Sequence, residues 1–500
     1  MKSSRSTFRR GIAAVLAASG LLAGGVSTAQ ALDTFFVGPR AMGMAGANVA
    51  STSDTTAQYY NPAAFGFFDC RDRNGDKIAC DNNNIGRKQW GADLNATAGY
   101  RLHNEFGVFL DDLADIDRDQ LSSASVQNES DLADLIDLVK GLEGIDEPGN
   151  AITATVNAGL GVRFGHFAIG GRGFAQATGV VLEVDSNNLG LTGSTDFNAE
   201  INAIAITGND LQTLLFTPDQ QAQLAATGLD ATAIQRLDFM ARRQGVKTAN
   251  SQGFVDLMAD LSAQSAGGGG AIEDNTTTVL LTGFALGEVP LSYGYALNDH
   301  WAIGGNLKLM VGRVYGNQVL VFNEDSGDIL KSTDEEYEET YNVGVDLGIM
   351  GRYRLVNLGL VARNLNAPKF DGPTVNGVTF DDVKVDPQVT AGIALIPHET
   401  LVIEVDCDLT ENETSFEDYK TQNVAIGLEW DALRAVALRA GVYKNLAEDD
   451  IDWVYTAGLG FNLWGVRLDV AGAFANETEE FDGDDIPKET RLAAQLSMDF

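Results

Sequence analysis

From about residue 387 to Phe500 the chain repeats one unit: about ten residues alternating apolar with polar, then a connection. The connections alternate between very short ones and long acidic ones. The last stretch puts Leu492, Ala494, Leu496, Met498 and Phe500 on one face. Side chains alternate faces along a strand, so every repeat is a strand with one apolar and one polar face. Short turns on one rim, longer loops on the other and apolar-out, polar-in strands together describe a membrane-spanning barrel. The expected fold is therefore all-β: a transmembrane antiparallel up-and-down β-barrel.

The same alternation recurs upstream. Val436, Leu438, Ala440 and Val442 oppose Arg439, Gly441 and Tyr443, and Leu401, Ile403, Val405, Cys407 and Leu409 oppose Glu404, Asp406 and Asp408. Cys407 thereby falls on the lipid side as a small residue without chemistry. About fourteen strands are expected, over 88–100, 151–164, 167–181, 277–297, 301–322, 339–351, 356–366, 387–397, 400–410, 420–431, 434–444, 452–464, 466–477 and 489–500. With the carboxyl end periplasmic, every tight turn is periplasmic and every long loop extracellular. An even count returns the amino end to the same side, and closure leaves no backbone group unpaired in hydrocarbon.

Lys2, Arg5, Arg9 and Arg10 precede an apolar run from Ile12 to about Val26, and Ala29-Gln30-Ala31 is an A-x-A cleavage signal, so residues 1–31 are expected to be a secretory signal peptide. Removing those four basic residues takes the formal net charge from −36 to −40. Such acidity excludes nucleic acid as a partner, because phosphate binding needs a basic footprint. Much of it sits in loops such as 323–339 and 477–489, where solvation is the ordinary explanation and cation bridging to surface glycolipid the addition. Lipid and glycolipid of an outer membrane are the expected surroundings.

Two loops carry helical pattern, giving insertions at about 105–145 and 205–266. Leu132, Leu135, Ile136, Leu138, Val139 and Leu142 recur at helix spacing. Thr217-Pro218-Asp219-Gln220 forms a capping box with proline in the first turn. Asp230 caps a second helix ended by Gly245, and Phe254, Leu257, Met258 and Leu261 mark a third. These apolar faces need burial, against one another and the rim, or around a hydrophobic access groove.

Before the first strand the chain reads Phe35-Phe36-Val37-Gly38-Pro39-Arg40-Ala41-Met42-Gly43-Met44-Ala45-Gly46-Ala47, then Asp54, then Tyr59-Tyr60-Asn61-Pro62-Ala63-Ala64-Phe65-Gly66. Glycines at 38, 43 and 46 allow positive φ or close backbone approach. The segment is neither a lipid-facing strand nor a charged solvated tail. It resembles the start of the FadL-type outer-membrane transporters for fatty acids and other hydrophobic compounds, and of the PorV-like secretion barrels of the same superfamily. Pro290-Leu291-Ser292-Tyr293-Gly294-Tyr295 and Arg363-Asn364-Leu365-Asn366-Ala367-Pro368-Lys369-Phe370 look closest to its TraF-like conjugal transfer branch. The chain has no C-x-x-C, unlike the thioredoxin-like protein that shares the TraF name. The resemblance implies a hatch plugging a 14-stranded barrel, with ligand passing beside it towards a lateral opening. Residues 32–87 would hold that hatch, with Phe35, Phe36, Asp54, Tyr59, Tyr60, Asn61, Pro62 and Ala63 as its ligand-side residues, and 88–500 the barrel. The helical insertions depart from the FadL pattern.

Cys70 and Cys80 suit an oxidising compartment and would close a short polar loop as a disulfide. Within it Asp72, Asn74 and Asp76 alternate as hard oxygen donors, so a calcium site is the alternative, although no bidentate Glu follows at the expected distance. No other cofactor is indicated. His103, His166, His300 and His398 are too scattered for a metal site or triad, and no enzyme activity is expected. Arg163, Arg172, Lys308, Asp346, Arg363, Glu404, Asp406, Glu429, Arg439, Arg467 and Asp469 face the lumen with mixed sign, which suits charge pairing across it. Two functions remain: passive passage of small hydrophobic molecules through a plugged barrel, or a non-transporting barrel that docks conjugation or secretion machinery.

Overall fold

Fourteen strands close into one antiparallel barrel in the computed structural model, each paired with its neighbours in chain order. Residues 32–33, 35–68, 90–109, 126–146, 149–185, 188, 196–206, 214–265, 274–320, 337–375, 378–416, 419–432, 435–463, 465–481 and 484–499 are described. Residues 1–31, Cys70, Asp72, Asn74, Asp76, Cys80 and the acidic stretch 321–336 lie outside them. The strands are β1 Trp90–His103, β2 Ala151–Phe164, β3 Phe167–Glu183, β4 Thr278–Ala296, β5 Trp301–Leu320, β6 Tyr337–Arg352 and β7 Val356–Arg363. They continue with β8 Gln388–His398, β9 Leu401–Asp408, β10 Asn423–Ala432, β11 Val436–Asn445, β12 Val454–Leu463, β13 Val466–Ala475 and β14 Glu489–Asp499. The seam between first and last strand runs from Gly91 opposite Asp499 to Arg101 opposite Glu489.

These strands fall within a few residues of the alternating segments. One departure has a local cause: β7 stops at Arg363 because Asn364 turns left-handed, with φ 52°. One rim joins strands by tight turns and the other carries the long loops, where, among the described residues, four two-stranded hairpins, such as Lys369–Phe370 with Val383–Lys384, add local order. β3 to β6 have 16 to 20 residues and β7 to β14 have 8 to 11, so one wall stands well above the rest.

The outward face is hydrocarbon. Leu94, Leu160, Leu309, Leu347, Leu459 and Leu496 are each 42–59% exposed. A contiguous apolar surface on this scale is untenable in water and suits a bilayer. Trp90, Phe164, Phe167, Tyr293, Tyr295, Trp430 and Phe461 are exposed near the tight-turn rim, and Tyr341, Tyr455 and Phe474 towards the loop rim, as two aromatic girdles require. Cys407 lies on this outward face as a free thiol. Among the described residues no helix is long and apolar enough to cross a membrane.

The segment expected to form the hatch holds two short helices, α1 (Pro39–Gly43) and α2 (Ala57–Tyr60), and the loops hold α3 (Glu129–Asp146), α4 (Phe197–Ala203), α5 (Pro218–Ala226), α6 (Ala231–Arg243) and α7 (Ser251–Ser265). The Thr217–Gln220 capping box forms, with Thr217 N–H donating to Gln220 Oε1 at 2.8 Å. Asp230 accepts the N–H groups of Thr232 and Ala233, and Gly245 has φ 81°. The loop helices bury their apolar faces in one core that also takes Leu102, Phe106 and Ile152 from the barrel rim. They pack on one another and on the barrel rim.

Candidate functional site

Residues 32–68 run inside the barrel from the loop half of the lumen to the tight-turn rim, with little regular structure of their own. Their backbone groups must therefore find partners elsewhere, and the inward side chains of many strands supply them. Thr97 and Asn157 donate to Phe36 O at 3.1 and 3.0 Å, Thr456 to Gly43 O at 3.1 Å, Asn357 to Ala50 O at 3.1 Å and Asn306 to Gln58 O at 2.6 Å. Asp406 Oδ2 accepts the N–H groups of Asn48 and Val49 at 2.7 and 2.8 Å, and Glu404 Oε1 those of Ala50 and Ser51 at 2.6 and 3.2 Å. The polar inner face of the alternation thus has a concrete use. Its glycines have another: at Gly304 and Gly427 the hatch backbone of Pro62 and Met44 passes where a Cβ would sit.

Charge reinforces one side. Arg40, buried, pairs with Glu429 at 3.0 Å and bonds Asn48 and Ser51. Burial alone would lower its pKa, but Glu429 and the carboxylates around it raise it. Glu429 also holds Arg439 at 2.7 Å, and Arg439 holds Asp469 at 2.8 Å. Lys308 meets Glu288 at 3.2 Å and Asp346 at 3.1 Å, and Arg163 meets Asp499 at 3.0 Å. The pairs within the wall join strands one or two apart instead of crossing the lumen. The lumen of a barrel this size is too wide for side chains to span, and Arg40 of the hatch bridges instead.

The loop half of β3 to β5 adds an apolar cluster. Phe35 stands edge-on to Phe174 with ring centroids 5.1 Å apart, Tyr59 lies 6.0 Å from the same ring, and Phe284 meets Phe370 at 5.2 Å. With Leu286, Met310, Val314, Val383 and Val385 these rings form one cluster, from the hairpin lid after β7 down to the hatch. Tyr60 OH accepts Val37 N–H at 2.9 Å, and burial pushes its pKa well above the ordinary phenol value. Phe36 turns the opposite way, edge-on to Tyr443 at 5.3 Å with the Arg491 guanidinium 5.3 Å from its centroid.

Between the two sides lies a cavity lined by Phe35, Phe36, Val49 and Tyr59 of the hatch and by Arg363, Thr390, Asp406, Asp408 and Tyr443 of the wall. Its volume is about 50 Å³. At roughly 10–15 Å³ per water by that measure, it holds about three to five waters.

The remaining residues expected on the ligand side make contacts within the segment and to the wall. Asp54 accepts Thr56 N–H at 2.9 Å, shaping the turn into α2. Asn61, fully buried, donates to Val49 O and Ile349 O at 3.0 and 3.1 Å and accepts Ala63 N–H at 3.1 Å. It thereby ties hatch to β6, and Pro62 starts the 3-10 helix Pro62–Phe67 that sits on the tight-turn rim beside β4 and β5. Gln58 was not foreseen: it donates to Pro290 O at 3.3 Å and Ser292 Oγ at 3.0 Å. There the β3–β4 ladder skips from Ile169–Leu291 to Arg172–Glu288, and Pro290 has no N–H to give. The only sequence signal was a proline inside a strand.

The histidines serve separate local contacts, His103 with Thr153, His166 with Phe65 O, His300 with Arg352 O and His398 with Thr400.

The family model described as "F plasmid transfer operon, TraF, protein" matches residues 58–408. The chain belongs to this family. No curated protein matched it in sequence. Among solved structures, this TraF-family chain is similar to the toluene transporter TodX of Pseudomonas putida, at 10% identity and a TM-score of 0.45 over 94% of this chain and 99% of that one. The toluene transporter TbuX of Ralstonia pickettii gives 11% identity and a TM-score of 0.44 over 93% and 98%. A FadL homologue of Pseudomonas aeruginosa gives 12% identity and 0.41 over 96% and 100%.

Proposed function

We propose that the protein is a passive transporter of small hydrophobic molecules in a bacterial outer membrane, with residues 32–68 as the plug of its lumen. The observation that carries this is the continuous apolar cluster from Phe370 and Phe284 to Phe35 within the lumen. A lumen filled only for stability needs hydrogen-bonding partners for the hatch along its whole inner wall. It has no need of a column of rings leading to a small cavity. Ligand enters from the loop rim, passes Phe284 and Phe174, and rests against Phe35 and Tyr59. The interrupted ladder at Pro290, bridged by Gln58, is the place where the wall can part towards lipid.

The test is the uptake rate of labelled toluene by cells with a lipopolysaccharide-bearing outer membrane, with and without the protein. Faster uptake, slowed by Asn61→Ala without any gain in permeability to hydrophilic solutes, supports transport; no difference contradicts it. The name of the family motivates a second function, docking in conjugal transfer. The burial of the loop helices in their own core favours it less than exposed apolar faces would.

A further inference from the structure

We propose that the hairpin after β7, built on Lys369–Phe370 and Val383–Lys384, is the loop-side gate of the lumen and opens by swinging about its base at Ala367. This rests on the transport function above and names the element that regulates entry.

The seat of the hairpin is the first observation. Even-numbered residues of β5 face inward, and Gly312, Val314 and Gly316 follow one another along that face towards its loop end. The Phe370 ring lies where a Cβ on Gly312 would stand, and the Phe380 ring where one on Gly316 would stand. Glycine weakens a strand interior and marks close approach by another group. Here two glycines form two notches for two rings of one hairpin. Both rings are buried, and Phe370 meets Phe284 in the apolar cluster, so the seated hairpin caps the path that ligand takes.

The attachment of the hairpin is the second. Its seat is apolar, and such contact is non-directional. Towards β6 it is held by exposed groups: Asn342 donates to Lys369 O at 2.9 Å and Asp371 N–H to Thr340 Oγ1 at 3.1 Å. Bonds like these exchange for bonds to water at little net cost. The Lys369–Asp382 pair lies within the hairpin and moves with it. Just before the hairpin the chain is fixed to β6, with Leu365 N–H donating to Val345 O at 2.9 Å and Val345 N–H to Asn366 Oδ1 at 3.0 Å. Ala367 stands between the fixed and movable parts, left-handed at φ 48°. Backbone of this kind is held only by its surroundings and collects at switching segments.

The loop after β9 also reaches over the lumen, but buried polar bonds fix it. Asn412 donates to Leu32 O at 2.9 Å, Ser415 Oγ bonds Thr178 Oγ1 at 2.6 Å and Tyr419 OH donates to Asp450 at 3.1 Å. It is a cover, and the hairpin after β7 is the moving part.

A disulfide between Thr340→Cys and Asp371→Cys, whose native side chains touch at 3.3 Å, tests the gate. Toluene uptake is measured in cells without the protein, with wild type and with the double variant, each before and after dithiothreitol; wild type controls for the native cysteines. With the disulfide closed, uptake is expected to fall to the rate of protein-free cells and to recover on reduction. Gly316→Ala, which displaces Phe380 from its notch, is expected to exceed the wild-type rate, because the rate follows the open population. Equal uptake by the closed and reduced double variant, with wild type above protein-free cells, overturns the gate and leaves transport standing. Uptake by Gly316→Ala no faster than wild type counts equally against the gate, and decides alone if the disulfide does not close. Wild type no faster than protein-free cells overturns transport, and the gate with it.

Discussion

The wall of β9 to β13 holds residues 40–51 through carboxylates, guanidinium groups and backbone N–H bonds beside the small apolar contacts of Met42, Ala45 and Ala47, whereas the wall of β3 to β5 meets Phe35 and Tyr60 mainly through rings and aliphatic side chains and reaches Gln58 by hydrogen bonds. The first kind of contact is directional, and breaking it leaves a buried charge unpaired. The second is non-directional and can be exchanged for contact with another apolar molecule at little loss. The hatch is therefore anchored on one side and yielding on the other, and the cavity lies where the two meet.

Removing the hatch should have the largest effect. Deletion of 34–60 is expected to leave a folded barrel, seen as heat-modifiable gel mobility, that conducts ions steadily in planar bilayers where the full protein stays closed. An unchanged conductance would mean that the loops seal the lumen. On the anchored side, Arg439→Met strips the cation from between Glu429 and Asp469. Arg40 and Arg467 still pair with these carboxylates, so a loss of about 1–3 kcal/mol is expected, read as a lower temperature for the gel shift. On the yielding side, Phe174→Leu keeps the site apolar and should cost under about 1.5 kcal/mol while changing toluene uptake more than Arg439→Met does. The reverse order of uptake effects would erase the contrast between the two walls. Smallest of all, Asp230→Ala removes the cap of α6 and should cost about 1 kcal/mol within the helical loop core, with toluene uptake unmoved.

The strands were legible because each buries or exposes every second residue, and the helices of the large loop because Thr217, Asp230 and Gly245 mark their ends. α4 was not, since only Phe197 and Ile201 of its seven residues are buried, too few to show a period. Inward charges such as Glu404 and Asp469 could be assigned to the lumen from alternation alone. Their partners could not, because Arg40 meets Glu429 across 389 residues and only strand register and barrel closure bring them together. The same holds for Gln58 and Pro290, 232 apart. Sequence pattern reports which face a residue takes, and contacts between a coiled hatch and a curved wall leave no period behind.

The division of the lumen into an anchored and a yielding side is tested most directly by diffraction from crystals soaked in bromobenzene, with the bromine located by its anomalous signal. Bromine between Phe35, Tyr59 and Arg363, with further sites only along Phe174 and Phe284, is the predicted result. Bromine confined to the outer apolar belt or to the helical loop core, with none beside the hatch, would contradict it.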